Sequence, residues 1–237
     1  MEKIAILTPC YNGKRDEKTE ECILKCKSYF KNFEFYSFTT EEVYIHRGRT
    51  TLLNDLIERD ALEHFSYVLW LDSDVYFEPK DLSKLIESVS GKNLGCVSGV
   101  YFNRHRNHHP MYCYGDGYYG LEWDKLSNIP NKIFEVDGLG FGFLLMKIGL
   151  IHRYVKEYPY QKWFDSSNWY PTRLEEKAIF TIGEDVDFCK KLRKLGYKIW
   201  VDGTIKLSHK GIVYDDYVKW KKENFWHPHC ASKVLKY

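Results

Sequence analysis

The sequence predicts an α/β domain with a mostly parallel central sheet flanked by helices. Three observations predict it. Short, mostly apolar runs recur, among them Ile4-Ala5-Ile6-Leu7, Tyr67-Val68-Leu69-Trp70-Leu71 and Cys96-Val97-Ser98-Gly99-Val100-Tyr101-Phe102. Amphipathic stretches of helical period lie between them, and the two alternate along the first two-thirds of the chain. A sheet covered on both faces needs strands that are apolar throughout, and strands alternating with helices at this spacing make parallel βαβ units.

Taken in order, Ile4 to Leu7 reads as a first, central strand, ended by Thr8-Pro9 and the turn-forming Asn12-Gly13. A helix is expected over Thr19 to Phe30, with Cys22, Cys26 and Phe30 four apart. Thr50 to Phe65 carries the clearest helical stripe, with Leu52, Leu53, Leu56, Ile57, Ala61, Leu62 and Phe65 on one face. It runs directly into the strand Tyr67 to Leu71. Another helix follows Pro79, from Asp81 to about Val89, and Gly91 stops it. Cys96 to Phe102 is the next strand. Residues 103–135 break the rhythm, and excursions of that length are usually functional or mobile. Phe143-Leu144-Leu145-Met146 restores it as a strand. A helix over Glu184 to Leu195, stopped by Gly196, then precedes the closing segments Lys198 to Val201 and Ile205 to Gly211. The chain therefore reads as one domain over 1–211, with a basic and aromatic segment, 212–237, packed on it.

Composition excludes several classes. At 237 residues the chain has room for one large domain, given about 150 residues per domain. Hydrophobic content of 44% with 29% charged residues is that of a globular protein, not a disordered one. Lys and Arg number 35 against 33 Asp and Glu, a net +2, which argues against a protein devoted to nucleic acid. Seven cysteines, an odd number without a C-x-x-C pair, read as reduced thiols in a cytoplasm-like compartment. The N-terminal apolar run is too short for a signal peptide and no 18 apolar residues occur together, so a soluble or peripheral cytoplasmic protein is expected.

Three features carry chemistry. Asp72-Ser73-Asp74 follows a wholly apolar strand, and in open α/β sheets ligands bind at the carboxyl ends of strands. Two carboxylates so placed can converge on one hard divalent cation, which takes one or two carboxylates plus substrate phosphates; Asp residues are also ordinary turn formers there. Glu184-Asp185 opens the late helix, where acids are favoured by the helix dipole without any chemistry. His209, in Leu207-Ser208-His209-Lys210-Gly211, lies just beyond a strand.

In this order and spacing the sequence resembles the nucleotide-sugar half of GT-A glycosyltransferases, a Rossmann-like fold. Thr8-Pro9-Cys10-Tyr11-Asn12, Arg47-Gly48-Arg49 leading a helix, and Leu69-Trp70-Leu71-Asp72-Ser73-Asp74-Val75 carry the resemblance. Val97 to Phe102, Asp137-Gly138-Leu139-Gly140-Phe141-Gly142, Gly183-Glu184-Asp185 and Ser208-His209 continue it, over about residues 3 to 211. It is most similar to the compact GT2-like enzymes of large viruses, phages and bacteria. The Q-x-x-R-W motif of processive polysaccharide synthases is missing, so a synthase of long chains is not expected.

The resemblance implies a metal-dependent transferase moving a single sugar from a nucleotide-sugar donor, UDP-linked before GDP-linked, to a hydroxyl of a glycan or glycoconjugate. Thr8, Pro9 and Tyr11 would line the nucleobase pocket, and Arg47 and Arg49 would contact base or diphosphate. Asp72, Ser73 and Asp74 would bind the donor, with Asp74, Asp72 and His209 on a Mn²⁺ or Mg²⁺ cofactor. Asp185, with Glu184 as understudy, is the expected general base, which gives an inverted product. Asp137, Gly140 and Trp169 are expected on the acceptor side. Tyr112, Tyr114, Tyr118, Tyr119, Trp123, Trp163, Phe164, Trp169 and Tyr170 can stack on sugar rings or fill the core.

The rivals are a retaining, α-mannosyltransferase-like enzyme, a sugar nucleotidyltransferase and a catalytically inactive carbohydrate-binding module. The nucleotidyltransferase needs a Gly-rich basic loop after the first strand, and Thr8 to Lys14 is a poor one. His105, His108, His109 and Cys113, with His227, His229 and Cys230, have zinc-ligand chemistry but no zinc spacing. Lys219-Trp220-Lys221-Lys222 with Phe225-Trp226 suits either a weak membrane-surface contact or aromatics packed on the domain.

Overall fold

A computed structural model describes residues 1–59, 61–102, 110–115, 129–160, 163–165 and 183–210, together with the backbone of 122–123, 168–169 and 180–181. The N-terminal half holds β1 (Glu2–Thr8), α1 (Glu17–Tyr29), β2 (Phe33–Thr39), α2 (Ile45–Glu58), β3 (Tyr67–Leu71), β4 (Val75–Tyr76), α3 (Pro79–Gly91) and β5 (Cys96–Val100). There follow β6 (Tyr112–Tyr114), β7 (Glu122–Trp123), β8 (Ile133–Val136), β9 (Gly138–Leu139), β10 (Phe143–Lys147) and α4 (Ile148–Glu157). The chain continues through β11 (Asn168–Trp169), β12 (Phe180–Thr181), α5 (Glu184–Lys194), β13 (Ile199–Lys206) and β14 (Ser208–His209).

Seven strands form the central sheet in the order β2-β1-β3-β10-β5-β13-β8. β2, β1, β3, β5 and β13 run in one direction, while β10 and β8 run against them. The sheet is mostly parallel and flanked by helices, as predicted. The strands are apolar because both faces are covered. Ala5, Leu7, Val68 and Trp70 point to one core, with Leu52, Leu53 and Leu56 of α2, Ile151 of α4 and Leu192 of α5. Their neighbours Ile4, Ile6, Leu69 and Leu71 point to the other, with Ile23 and Cys26 of α1 and Leu82 and Leu85 of α3. This is the two-residue alternation of a pleated strand, read on both faces.

Local chemistry sets the helix ends. The Asp16 side chain caps α1 by accepting from Lys18 N–H. α3 starts with a reciprocal capping box between Glu78 and Asp81, with Pro79 in its first turn. α5 follows Gly183, has Glu184, Asp185 and Asp187 in its first turn and Lys191, Arg193 and Lys194 in its last, and so matches its dipole at both ends.

The structure departs from expectation at several places. The helix expected over 50–65 spans 45–58, and Arg47-Gly48-Arg49 lies inside its first turns. Its stripe continues into a 3₁₀ turn at Leu62–His64, because β3 must start at Tyr67 to pair with Ile4. Among the elements not anticipated are both edge strands of the sheet, β2 and β8, and α4, whose Gly149 and ten-residue length mask its Leu150, Ile151 and Tyr154 stripe. The closing segments expected at 198–201 and 205–211 are the single strand β13 followed by the short β14. β1 is interior but second from the edge, beside β2. Of the aromatic residues that suited either sugar stacking or the core, Tyr112, Trp163 and Phe164 are buried: Phe164 packs on Trp70, Phe141 and Phe188, and Trp163 donates its indole N–H to the Tyr158 carbonyl. They are core. The histidines at 105, 108, 109, 227 and 229, Cys230 and the segment 212–237 lie outside the described residues. The six described cysteines are buried and free, and among the described residues no helix is long and apolar enough to cross a membrane.

Candidate functional site

The site gathers at the carboxyl ends of the parallel strands. β3 ends at Leu71, and the chain turns through Asp72-Ser73-Asp74 into β4. This turn is pinned from several sides. Asp72 N–H donates to the Gly142 carbonyl at 3.1 Å, and the Ser73 carbonyl accepts from Asp16 N–H at 2.8 Å and from the Thr19 hydroxyl at 3.0 Å. Lys210 N–H donates to the Asp74 carbonyl at 2.9 Å. Lys210 Nζ also reaches Asp16 Oδ2 at 2.8 Å, tying the chain after β14 to the start of α1.

His209 comes to Asp74 because β14 pairs antiparallel with β4, placing His209 opposite Val75. Its Nε2 stands 3.1 Å from Asp74 Oδ1, and its Nδ1 stands 2.7 Å from the Phe102 carbonyl. Burial opposes a charge on this imidazole, but the Asp74 carboxylate and the Phe102 carbonyl outweigh it and raise its pKa above the ordinary value.

That geometry tests whether a divalent cation fits. With Nδ1–H given to a carbonyl, a neutral imidazole turns its Nε2 lone pair towards a carboxylate oxygen. Two acceptors at that separation need a proton or a cation to satisfy them. A carbonyl that accepts one ring N–H and leaves the other nitrogen available to a metal is the usual setting of a metal-ligating histidine. Among the described residues no three His, Cys, Asp or Glu side chains form a metal-holding group. The pair thus suits a hard cation that draws further ligands from phosphate and water, as Mg²⁺ does.

Asp72 has a different partner for one carboxylate oxygen. Its Oδ1 lies 3.2 Å from Arg49 Nη2, while Arg49 Nη1 donates to Glu184 Oε1 at 2.6 Å. The guanidinium is 2% exposed and lies 5.1 Å from the centroid of the Phe141 ring. Burial opposes its charge, but Asp72, Glu184 and Asp185 outweigh that and hold it protonated. Asp185, half-buried beside this group, accepts from Val186 N–H at 2.8 Å. Desolvation first, then the Glu184 charge, push its carboxyl up to about 7, against the pull of Arg49. A carboxyl so tuned suits proton transfer near neutrality.

Gly140 and Gly142 of the segment Asp137 to Gly142 answer to Tyr101, and Gly138 to Cys113 and Val186. A Cβ on Gly142 would sit 2.5 Å from Tyr101 Cζ, and one on Gly140 would sit 2.4 Å from its hydroxyl. That hydroxyl accepts Gly142 N–H at 2.7 Å, and the ring meets His209 edge-on at 5.7 Å. These glycines are therefore packed, not loose.

The expected residues thus divide by place. Asp72, Asp74, His209, Glu184, Asp185 and Arg49 are brought together, with Ser73 in their turn. Arg49, expected to contact base or diphosphate, has its fork engaged by two carboxylates instead, because α2 starts early enough to carry it under the sheet end. Glu184 is occupied by that same fork. Thr8, expected to line the nucleobase pocket, is fully buried, and its hydroxyl accepts from Arg15 Nε at 2.7 Å. Pro9 is half-buried, while Tyr11 and Arg47 are exposed, Arg47 over the Tyr44 ring at 5.3 Å. Asp137, expected at the acceptor, accepts from Gly115 N–H at 2.7 Å and pairs with Arg193 at 2.7 Å. Gly140 is buried beneath Tyr101. Trp169 lies in β11, with its side chain outside the described residues.

Two residues escaped the sequence reading. Arg15 also bonds Glu20 at 2.7 Å and the Phe38 carbonyl at 3.2 Å, closing the ends of β1 and β2. Tyr101 was legible only as a strand residue. Nothing in the local sequence marks either.

No known family model matches this chain, and no curated protein matches it. Solved structures do. A197 from STIV superposes with a TM-score of 0.55 at 17% identity, over 88% of this chain and 85% of that one. GalNAc-T7, solved with UDP, GalNAc and Mn²⁺, gives a TM-score of 0.49 at 9% identity, over 88% of this chain and 43% of that one. The likeness to A197 is one of fold.

Proposed function

We propose that the chain is a metal-dependent glycosyltransferase that moves one sugar from a nucleotide-sugar donor, UDP-linked before GDP-linked, to a hydroxyl of a glycan or glycoconjugate. The observation that supports this reading is the gathering of Asp72, Asp74, His209 and the Glu184-Asp185 start of α5 at the carboxyl ends of the parallel strands, where α/β folds bind ligands. In this reading residues 1–211 are the transfer domain and 212–237 an appended segment.

Asp74 and His209 would hold Mn²⁺ or Mg²⁺, with Asp72 beside them towards metal or ribose. The bound cation supplies positive charge for the diphosphate that departs. Thr8, Pro9, Tyr11, Arg47 and Ser73 form the donor side, with Thr8 acting from beneath through the Arg15 bond. Asp137, Gly140 and Trp169 belong to the acceptor side, Asp137 and Gly140 as its framework. Asp185 is the general base. It takes the proton of the acceptor hydroxyl as that oxygen bonds to the anomeric carbon and the bond from that carbon to the diphosphate oxygen breaks. Attack from the face opposite the diphosphate inverts the anomeric centre. Glu184, already bonded to Arg49, is the poorer base.

The test is to incubate the protein with UDP- and GDP-sugars, Mn²⁺ and a panel of glycan acceptors, and to read the product and its anomeric configuration. Metal-dependent transfer with inversion supports the reading. A retained product moves it to the mannosyltransferase-like rival. Glycan binding without transfer, indifferent to metal and to Asp185→Asn, overturns it in favour of a binding module.

A further inference from the structure

The Arg49 fork joins two parts of the chain that would otherwise act separately. Asp72 ends a central strand on the donor side, and Glu184 opens α5 next to the proposed base. The two carboxylates meet on one guanidinium, Glu184 Oε1 at 2.6 Å from Nη1 and Asp72 Oδ1 at 3.2 Å from Nη2. Side-chain exposures of 2% for Arg49, 11% for Glu184 and 20% for Asp72 keep the contact largely out of water, where charges act on each other with little screening. Arg49 Nε is buried with no hydrogen-bond partner among the described residues, so the side-chain hydrogen bonds of the fork go to these two acids alone there. The guanidinium also lies over the Phe141 ring, 5.1 Å from its centroid, within cation–π range.

We propose that Arg49 is a positioning residue that couples the donor end of the site to its acceptor end, by sharing one guanidinium between Asp72 and Glu184. The proposal rests on the transfer reading above. When Asp72 gives part of its charge to a cation, the fork leans on Glu184, and α5 with Asp185 is drawn to the donor side. When Glu184 is neutralised, the fork leans on Asp72 and competes with the cation for it. A lysine cannot replace Arg49, since a single ammonium lacks the planar fork that holds two carboxylates in set directions.

A double-mutant cycle read by calorimetric binding of UDP with Mn²⁺ tests this. Glu184→Gln keeps the shape of the side chain and touches no expected donor contact. It should weaken binding by about threefold or more in the wild-type background, yet change it by less than about 1.5-fold in an Arg49→Met background, since coupled residues are not additive. A merely structural Arg49 would lower the melting temperature of each variant and leave the affinity of the folded protein unchanged. If Arg49→Met fails to fold, the same cycle is run on Arg49→Lys, with the same expectation. Additive effects, or no effect of Glu184→Gln on affinity, overturn the role of Arg49 alone. Failure of wild-type protein to bind either UDP or GDP with Mn²⁺ overturns the transfer reading and this role with it.

Discussion

His209 Nε2 and Asp74 Oδ1 face each other at 3.1 Å across the β14–β4 ladder, with the far ring nitrogen of His209 held by the Phe102 carbonyl. Strand pairing, not loop placement, sets this contact, so the two groups face each other without any ligand. A preorganised carboxylate–imidazole pair loses little on binding a cation, which is the physical content of a prepared site.

His209→Ala should therefore separate metal from nucleotide. The imidazole is largely buried, so the variant loses packing against Tyr101, but it leaves Asp72, Asp74 and the donor turn in place. Mn²⁺ affinity in the presence of UDP should fall by about tenfold or more, a loss of the size seen when ligand shells are disturbed. Titration of Mn²⁺ into protein with saturating UDP, followed by calorimetry, checks it.

If Asp185 is the base, as proposed, it sets the pH dependence of transfer. A base must be unprotonated to act, so transfer should fall as pH drops through about 7, far above the ordinary carboxylate range. The sign for stability is opposite. The folded chain holds this proton more tightly than the unfolded one, so its contribution to stability is present at low pH and is lost as pH rises from the unfolded carboxylate value through about 7. Asp185→Asn should abolish both dependences, cut transfer by about 10²–10⁴-fold and leave nucleotide binding intact. A pH–rate profile and a pH series of melting temperatures read the two signs independently.

Gly142→Ala tests the packed turn behind the donor loop. Its Cβ would sit 2.5 Å from the Tyr101 ring, and Tyr101 is fully buried between Gly142 and His209. Overpacking of this kind costs about 1–3 kcal/mol, a fall of roughly 3–10 °C in Tm for a chain of this size. Tyr101→Ala in the same background should restore less than it removes, because the Gly142 N–H then loses its acceptor. Differential scanning calorimetry on the wild type and both variants gives the answer.

Arg49→Met should be among the most destabilising single changes in the chain. It leaves Asp72 and Glu184 without their cation, and removing one partner of a buried pair costs about 3–5 kcal/mol. Glu184→Gln in that background should recover part of the loss. Urea unfolding of both, compared at constant slope, measures it.

What could be read in the sequence was what local pattern determines. The strand Tyr67–Leu71 is continuous and apolar because its faces touch two different helical layers, and a run of five such residues needs no tertiary information to be recognised. The acids after it were legible for the same reason, as polar residues placed where such a strand must end. β2 was less so: it is an edge strand whose residues are half-buried or exposed, so its apolar and polar residues give no contrast against solvent. Arg49 and Glu184 stand 135 residues apart, and nothing in either segment says that one fork holds both. The same holds for Arg15, a basic residue in a basic turn that proves to close the ends of two strands. Trp163 and Phe164 show the limit of composition: an aromatic residue in a loop region suits a sugar ring or a core equally well, and here Trp70, Phe141 and Phe188 surround Phe164.

The most direct measurement is a calorimetric titration of UDP and of GDP, each with and without Mn²⁺, into wild-type protein and Asp74→Asn. An asparagine at 74 can donate an amide N–H to His209 Nε2, so the variant should stay folded while losing the charge that a cation needs. The account predicts metal-dependent binding to the wild type, stronger for UDP than for GDP, and its loss in Asp74→Asn at unchanged melting temperature. Binding of neither nucleotide with the metal, or binding that Asp74→Asn leaves intact, would contradict it.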